Sequence, residues 1–259
     1  MPTATFLGTG DSMGVPRVYC DCDICEEART RGHNRRHRSS IWLETQGKAL
    51  LLDCGPDWTT QMALLGKRFV EHVLITHAHH DHIGGLPEWY DACRWLRRKG
   101  QLYAPLEVLD NIRERYPWLE RHIIYHANDQ GQRFGDWFIR PWKVCHGQNG
   151  FSYAYHFDSP AFQWAYCSDA IRLNEEEKEL LYGLDLLILG TSFYKEEADP
   201  ARRSVYDMVE AMALINEVGP RRTLFTHMSH EVDVDRDYAL PPHVQLARQG
   251  MILQLERGD

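Results

Sequence analysis

The 259-residue sequence predicts an α/β fold in which two β-sheets lie face to face with helices on the outside. Strand-like and helix-like segments alternate through both halves of the chain. Several strand-like runs, "DLLILG" at 185–190 above all, are apolar enough to suit burial. No composition break, linker or short-period repeat interrupts the alternation, so a single domain over 1–259 is expected.

In order, "TATFLG" (3–8) reads as a strand running into a turn rich in glycine, with Gly8, Gly10 and Gly14. "SIWLET" (40–45) and "KALLLDCG" (48–55) are strands split by the turn pair Gln46-Gly47. "DWTTQMALLG" (57–66) fits a short helix stopped by Gly66, and "EHVLITH" (71–77) a strand. "LPEWYDACRWLRRKG" (86–100) has helical spacing at Trp89, Cys93 and Leu96, a basic last turn and a closing Gly100. "QLYAP" (101–105) and "HIIYHA" (122–127) read as strands around the helical "EVLDNIRERYPWL" (107–119). In the second half "WFIRPWKVCH" (137–146), "FSYAYHFDS" (151–159) and "FQWAYCSDA" (162–170) are strand-like. "NEEEKELLYG" (174–183) is a helix with its acids where the macrodipole favours them. "LDLLILGTS" (184–192) and "RTLFTHMSH" (222–230) are strands. "SVYDMVEAMALINEVG" (204–219) is the best helix, with Val205, Met208, Val209, Met212 and Ile215 expected on one face.

A net charge of −8 argues against a surface coated in positive potential for nucleic acid or anionic membrane. No apolar run approaches membrane-spanning length. One basic run, "RTRGHNRRHR" (29–38), reads as a solvated face, with a phosphate-facing rim as the sharper alternative. The N-terminus lacks the basic and apolar regions of a secretory signal. Seven cysteines do not make a small disulfide scaffold, so a reducing cytoplasm is expected. Cys54, Cys93, Cys145 and Cys167 are scattered and read as buried small hydrophobes.

The chemistry concentrates in "THAHHDHIGG" (76–85), directly after a strand. His77 and His79 can reach one ion, while Asp81 and His82 point elsewhere and can reach a second. His80 is expected to point away. Imidazole with carboxylate suits Zn, Mn or Fe rather than Ca or Mg. His146, Asp169 and His227 each stand at the C-terminal end of a strand-like run, where α/β folds collect their active residues. Asp169 has two oxygens with which to bridge two cations. His122, His126, His156 and His243 are assigned no site role. "CDCDIC" offers Cys20, Cys22 and Cys25 as three corners of a tetrahedral structural zinc site in a loop at about 16–38, with His230 as the fourth.

The ordered set of "THAHHDH", His146, Asp169 and His227, preceded by "LLDCG", resembles the metallo-β-lactamase fold hydrolases over essentially the whole chain. That resemblance implies an αββα four-layer sandwich of two mixed sheets. It also implies a binuclear centre: one divalent ion on His77, His79 and His146, the other on Asp81, His82 and His227, with Asp169 between them. "GTGDSMGVP", "CDCDIC" and the final "THMSH" are similar to the phosphodiesterases of the carbon–phosphorus lyase pathway, which cleave cyclic ribose phosphates. Those enzymes carry a histidine, proposed as general acid, where this chain reads "ARRSVYD" (201–207) with none, so Tyr206, Tyr194, Lys195 or a metal-bound water would have to substitute.

The expected function is hydrolysis of a small phosphate ester, cyclic esters included, by a hydroxide shared between two divalent ions, with Asp81 and His82 as the catalytic residues and Asp81 helping to orient the nucleophile. Asp53 is expected to accept a hydrogen bond from a ligating imidazole. Arg38, Ser39, Ser192, Lys195, Arg202 and Arg203 are candidates for gripping phosphate. Thioester or lactone hydrolysis, RNA processing, and a non-hydrolytic cofactor-biosynthesis role are the alternatives. A homodimer is left open.

Overall fold

The computed structural model describes residues 1–257. Its first half holds β1 (Thr3–Gly8), α1 (Asp23–Thr30), β2 (Ser40–Thr45), β3 (Lys48–Leu52), α2 (Trp58–Leu64), β4 (His72–Leu74), α3 (His80–Ile83), α4 (Leu86–Trp95), β5 (Gly100–Ala104), α5 (Leu106–Arg115) and β6 (Ile123–Ala127). Its second half holds β7 (Gln132–Phe134), β8 (Trp137–Cys145), β9 (Phe151–Asp158), β10 (Gln163–Cys167), α6 (Glu175–Lys178), β11 (Leu186–Gly190), α7 (Met208–Val218), β12 (Thr223–Thr226), β13 (Val244–Leu246) and β14 (Ile252–Gln254). The strands form two seven-stranded sheets, ordered β14-β1-β2-β3-β4-β5-β6 and β13-β12-β11-β10-β9-β8-β7. Each is mixed: β3 to β6 run parallel, as do β10 to β13, and the remaining neighbours are antiparallel.

The continuous apolar runs follow from burial on both faces. Leu50, Leu52 and Leu74 point between the sheets and meet Tyr155, Trp164, Tyr166, Leu186 and Ile188 of the other sheet. Their neighbours Leu51 and Val73 point outward, under Met62 of α2, Trp89 and Cys93 of α4 and Ile112 of α5. On β11, Leu187 and Leu189 point outward beneath Met208, Ala211 and Ile215 of α7. A strand alternates sides at every residue, so covering both faces turns the usual polar alternation into an unbroken apolar string. Each such side chain contributes about 1.5–3 kcal/mol on leaving water. The layers are therefore helix, sheet, sheet, helix, as the sequence implied.

The helix at 204–219 differs from expectation. It starts at Met208, where the Asp207 carboxylate accepts the Glu210 N–H at 2.8 Å. It stops at Gly219, which sits at φ 62°. Val205 therefore lies outside it, and the buried face is Met208, Ala211, Leu214, Ile215 and Val218, while Val209 is 48% exposed. This helix is apolar on most of its circumference, so spacing alone does not choose the face. The sheet beneath chooses it.

Elements absent from the sequence expectation are short. β7, β13 and β14 have three residues each, α3 has four, and α1 lies inside the cysteine-rich loop. Cys54, Cys93 and Cys167 are buried, which pushes all three thiols up, Cys93 to about 11. Cys145, in contrast, is half-buried. Among the described residues no helix is long and apolar enough to cross a membrane.

Candidate metal centre

Strand ends build the site. β4 delivers His77 and His79, α3 carries Asp81 and His82, and His146, Asp169 and His227 follow β8, β10 and β12. The loop after β3 docks on the histidine-rich loop: Cys54 N–H donates to the His82 carbonyl at 2.8 Å, and Gly85 N–H to the Cys54 carbonyl at 2.9 Å. A Cβ at Gly55 would overlap the Asp81 carbonyl, so only glycine allows this approach. His227 itself sits at φ 56°, a left-handed conformation costly for a residue with a side chain and common at functional sites.

Three overlapping groups of ligating atoms result: His77 with His79 and His146, His77 with His82 and Asp169, and Asp81 with His82 and His227. Each group keeps its atoms within 4.8 Å of one another. His77 Nε2 and His79 Nδ1 are 2.8 Å apart. His82 Nε2 lies 3.0 Å from Asp81 Oδ2 and 3.2 Å from Asp169 Oδ2. The other oxygen, Asp169 Oδ1, is 3.2 Å from His227 Nε2 and 3.7 Å from His146 Nε2. Asp169 thus faces imidazoles from both groups: Oδ1 lies near His227 and His146, and Oδ2 near His82.

The opposite ring nitrogens are held from behind. His82 Nδ1 is 2.8 Å from Asp53 Oδ2, and Asp53 also accepts the Thr76 N–H and hydroxyl. His146 Nδ1 donates to the Ser204 carbonyl at 2.8 Å. Such backing fixes each tautomer and aims Nε2 into the site. Asp53→Asn is expected to weaken metal binding about 10–100-fold while the chain stays folded, read by competitive metal titration. Unchanged affinity would remove Asp53 from this role.

Charge and orphaned atoms test whether the residues suit metal. Burial opposes charge on His82, but the Asp81, Asp53 and Asp169 carboxylates overcome it and hold the imidazole well above its usual range. His227 is likewise raised to about 9 against burial, chiefly by Asp169. Burial would lift Asp169, yet His227 and His82 keep it well below the usual carboxylate range. Burial drives His77 and His79 down, leaving neutral donors. His82 Nε2, His227 Nε2 and Asp169 Oδ2 are buried and close to one another but lack hydrogen-bond geometry. Carboxylates dense enough to charge buried imidazoles favour a divalent cation there, whose binding would displace those protons and free the ring nitrogens as ligands, so the residues fit.

A fourth group lies apart. His230 Nδ1 is 3.3, 3.5 and 3.5 Å from the Sγ atoms of Cys20, Cys22 and Cys25. A tetrahedral zinc with Zn–S of about 2.3 Å and Zn–N of about 2.0 Å sets N···S edges of about 3.5 Å. The donor set and its spacing fit a closed structural site.

The cleft over the main site has a volume of about 230 Å³. Of the phosphate-gripping candidates it includes Ser192 and Arg202. The others are engaged elsewhere. Arg38 pairs with Asp57 at 3.1 Å, and the Ser39 hydroxyl is buried against the Gly10 carbonyl. Lys195 lies 3.5 Å from Glu197, outside the cleft. Arg203 is buried among Glu196, Asp207 and Glu210. The substitute acids also lie outside: the Tyr206 hydroxyl accepts the Leu173 N–H, and Tyr194 stacks on Tyr238. His80 is exposed, as expected. Sequence reasoning missed Asp11, Gln148, Asn149 and Glu196, which line the cleft; Asp11 sits inside the quoted "GTGDSMGVP", and the other three follow no motif. Burial raises the Glu196 carboxyl, although Arg203 opposes it.

A family model for the beta-lactamase superfamily domain matches residues 48–228. The chain superposes with a TM-score of 0.87 on a structure described as a new diphosphatase from the PhnP family, at 28% identity, covering 99% of this chain and 98% of that one. An octanoyltransferase of Porphyromonas gingivalis is 30% identical over 258 residues, 95% of this chain but 50% of that protein, so the chain spans half its length. Ribonuclease Z of Natronomonas pharaonis is 24% identical over 253 residues, covering 75% of this chain and 82% of that protein.

Proposed function

The chain belongs to the metallo-β-lactamase superfamily, and from that premise we propose that it hydrolyses small phosphate esters with a pair of divalent ions. His77, His79 and His146 would hold one ion and Asp81, His82 and His227 the other, with Asp169 between them. The observation that carries this reading is the placement of the two Asp169 oxygens, one toward His82 and one toward His227 and His146. The chemistry such a pair supplies is activation of water near neutral pH and neutralisation of charge building on phosphoryl oxygens.

The chain's own groups orient and deliver. Asp53, Thr76 and the Ser204 carbonyl lock ring tautomers from behind. Arg202 has no ion pair among the described residues and lines the cleft, so it is the cation offered to a phosphate oxygen, beside the Ser192 hydroxyl. Glu196 is a carboxyl of the cleft outside the proposed ligand set, and it is assigned the passage of a proton to the leaving alkoxide as the P–O bond breaks. The small cleft favours a low-molecular-weight ester. The likeness to a named diphosphatase covers 98% of that chain, whereas the octanoyltransferase is matched over only 50% of its length, and this supports phosphate over acyl substrates.

A substrate panel tests this: bis(p-nitrophenyl) phosphate, a cyclic ribose phosphate, and an acyl thioester. The first two are expected to turn over and the thioester not; hydrolysis of the thioester alone overturns the reading. In the same panel Glu196→Gln should slow the cyclic phosphate more than the nitrophenyl ester, because p-nitrophenolate leaves without a proton. Equal losses on both would remove Glu196 from proton delivery.

The ribonuclease relatives raise RNA as a substrate. The basic run counts against it. Arg29 holds the Arg17 and Cys20 carbonyls, Arg35 the Ala28 carbonyl, and Arg36 is buried. Arg29 and Arg36 brace the cysteine loop, and Arg35, though exposed, is tied to the Ala28 carbonyl, so the run does not present a continuous phosphate track.

A further inference from the structure

A buried guanidinium stands behind one wall of the cleft. Arg203 is 6% exposed and makes four bonds to carboxylates. Nε donates to Glu196 Oε2 at 3.0 Å and Nη1 to Glu210 Oε1 at 2.9 Å. Nη2 donates to Asp207 Oδ2 at 2.9 Å and to Glu210 Oε2 at 2.6 Å. Glu196 comes from the loop after β11, whereas Asp207 caps α7 and Glu210 lies in its first turn. The guanidinium therefore ties both ends of the 196–203 loop to α7. Three acids against one cation also mean that removing the cation sets the carboxylates against one another.

The backbone beside Arg203 carries parts of the metal centre. The Ser204 carbonyl accepts His146 Nδ1 at 2.8 Å. The Arg203 carbonyl accepts the Gln148 N–H at 3.4 Å, and a Cβ at Gly147 would fall 2.0 Å from that carbonyl oxygen. The loop after β8 thus rests directly on the Arg203 backbone, an approach that glycine alone permits. On the far side the Tyr206 N–H donates to the Ala170 carbonyl at 2.9 Å, one residue from Asp169. Arg202, the preceding residue, lines the cleft, and the Arg203 side chain does not. We propose that Arg203 is a positioning residue for the metal centre: its ties to Glu196, Asp207 and Glu210 hold the 202–206 strap where the Ser204 carbonyl fixes the His146 ring. This rests on the reading of His146 as a ligand of the ion pair. The planar fork matters as much as the charge, because lysine brings one point of attachment where arginine brings several in fixed directions.

Competitive Zn²⁺ titration of the chelator-stripped full chain tests it. Wild type should take up about three ions. Arg203→Ala should bind the ion that depends on His146 about 10-fold more weakly, the lower end of what a lost outer tie to a ligand costs. Arg203→Lys should bind it several-fold more weakly, and the cysteine-site zinc should be unchanged in both. A double-mutant cycle separates positioning from general loosening. In a His146→Ala background Arg203→Ala should cost nothing further, whereas in a His227→Ala background it should cost its full factor. Leu214→Ala, on the buried face of α7, should lower Tm without weakening that ion. Arg203→Lys decides the matter if Arg203→Ala unfolds. Wild-type affinity in the folded Arg203 variants overturns the proposal; so does an equal loss in Leu214→Ala at matched Tm, or the full cost in the His146→Ala background. A wild type that takes up only the cysteine-site zinc removes the ion pair itself, a failure of the reading beneath and distinct from these.

Discussion

Asp169→Ala is expected to reduce turnover of bis(p-nitrophenyl) phosphate by about 10³-fold or more, the scale set by losing a preorganised charge at the reacting centre. Metal content should fall from about three ions per chain toward about one, the ion on the cysteine tetrad. The reason is positional. Asp169 is buried, and among the described residues it is the carboxylate that contacts imidazoles of both groups, His82 and His227 on one side and His146 on the other. Removing its oxygens leaves His82 and His227 with Asp81 as their shared acid in the cleft. Asp169→Asn separates shape from charge. It keeps the volume but supplies one neutral oxygen and one N–H, so metal occupancy should be intermediate and turnover close to that of the alanine variant. Elemental analysis by mass spectrometry and a colorimetric assay read both. Full metal loading with wild-type turnover in Asp169→Ala would end the bridging assignment.

The layered fold was legible because its strands are buried on both faces. "KALLLD" and "LDLLILG" have no polar side to show, and a chain with such runs in both halves has two sheets to build. The convergent residues were legible for a different reason. His77, His79, Asp81 and His82 are packed into six positions, and His146, Asp169 and His227 each punctuate the end of a strand. Contacts made by single charged side chains were not legible. Arg202 and Arg203 are neighbours in sequence, yet one lines the cleft and the other is enclosed by three carboxylates. No period or spacing encodes that difference; it depends on Glu196, Asp207 and Glu210 arriving from the loop and the helix. The same holds for the basic run at 29–38, whose charge suggested a solvated or phosphate-binding face. Much of it turns inward onto backbone carbonyls of the cysteine loop.

Cys25→Ala should lose one zinc per chain and lower Tm by roughly 10 °C. Losing a native cross-link of comparable reach costs about 2–5 kcal/mol, and each kcal/mol moves Tm by about 2–4 °C in a domain of this size. The tetrad is such a cross-link because its ligands come from opposite ends of the chain. Cys20, Cys22 and Cys25 lie ahead of or within α1, while His230 follows β12. Other ties hold this loop as well: Arg17 pairs with Asp11 at 2.7 Å, and Asn34 donates to Asp233 at 3.0 Å. Val15 pairs with Arg36, and Arg36 reaches the carbonyls of Ser229 and Val232. Cys25 is fully buried, so alanine there also leaves a small void, a cost that exists with or without metal. His230→Ala separates the two effects, since it removes the fourth ligand from a half-buried position and makes almost no void. If zinc is the cross-link, both variants should lose the ion and a similar part of the stability. If only packing matters, His230→Ala should keep the wild-type Tm. Turnover should fall in both variants as well, by about 10-fold, because His230 lies three residues beyond His227 on one segment and small displacements of a ligand are costly. Wild-type zinc content in both variants would show that the thiols hold no metal.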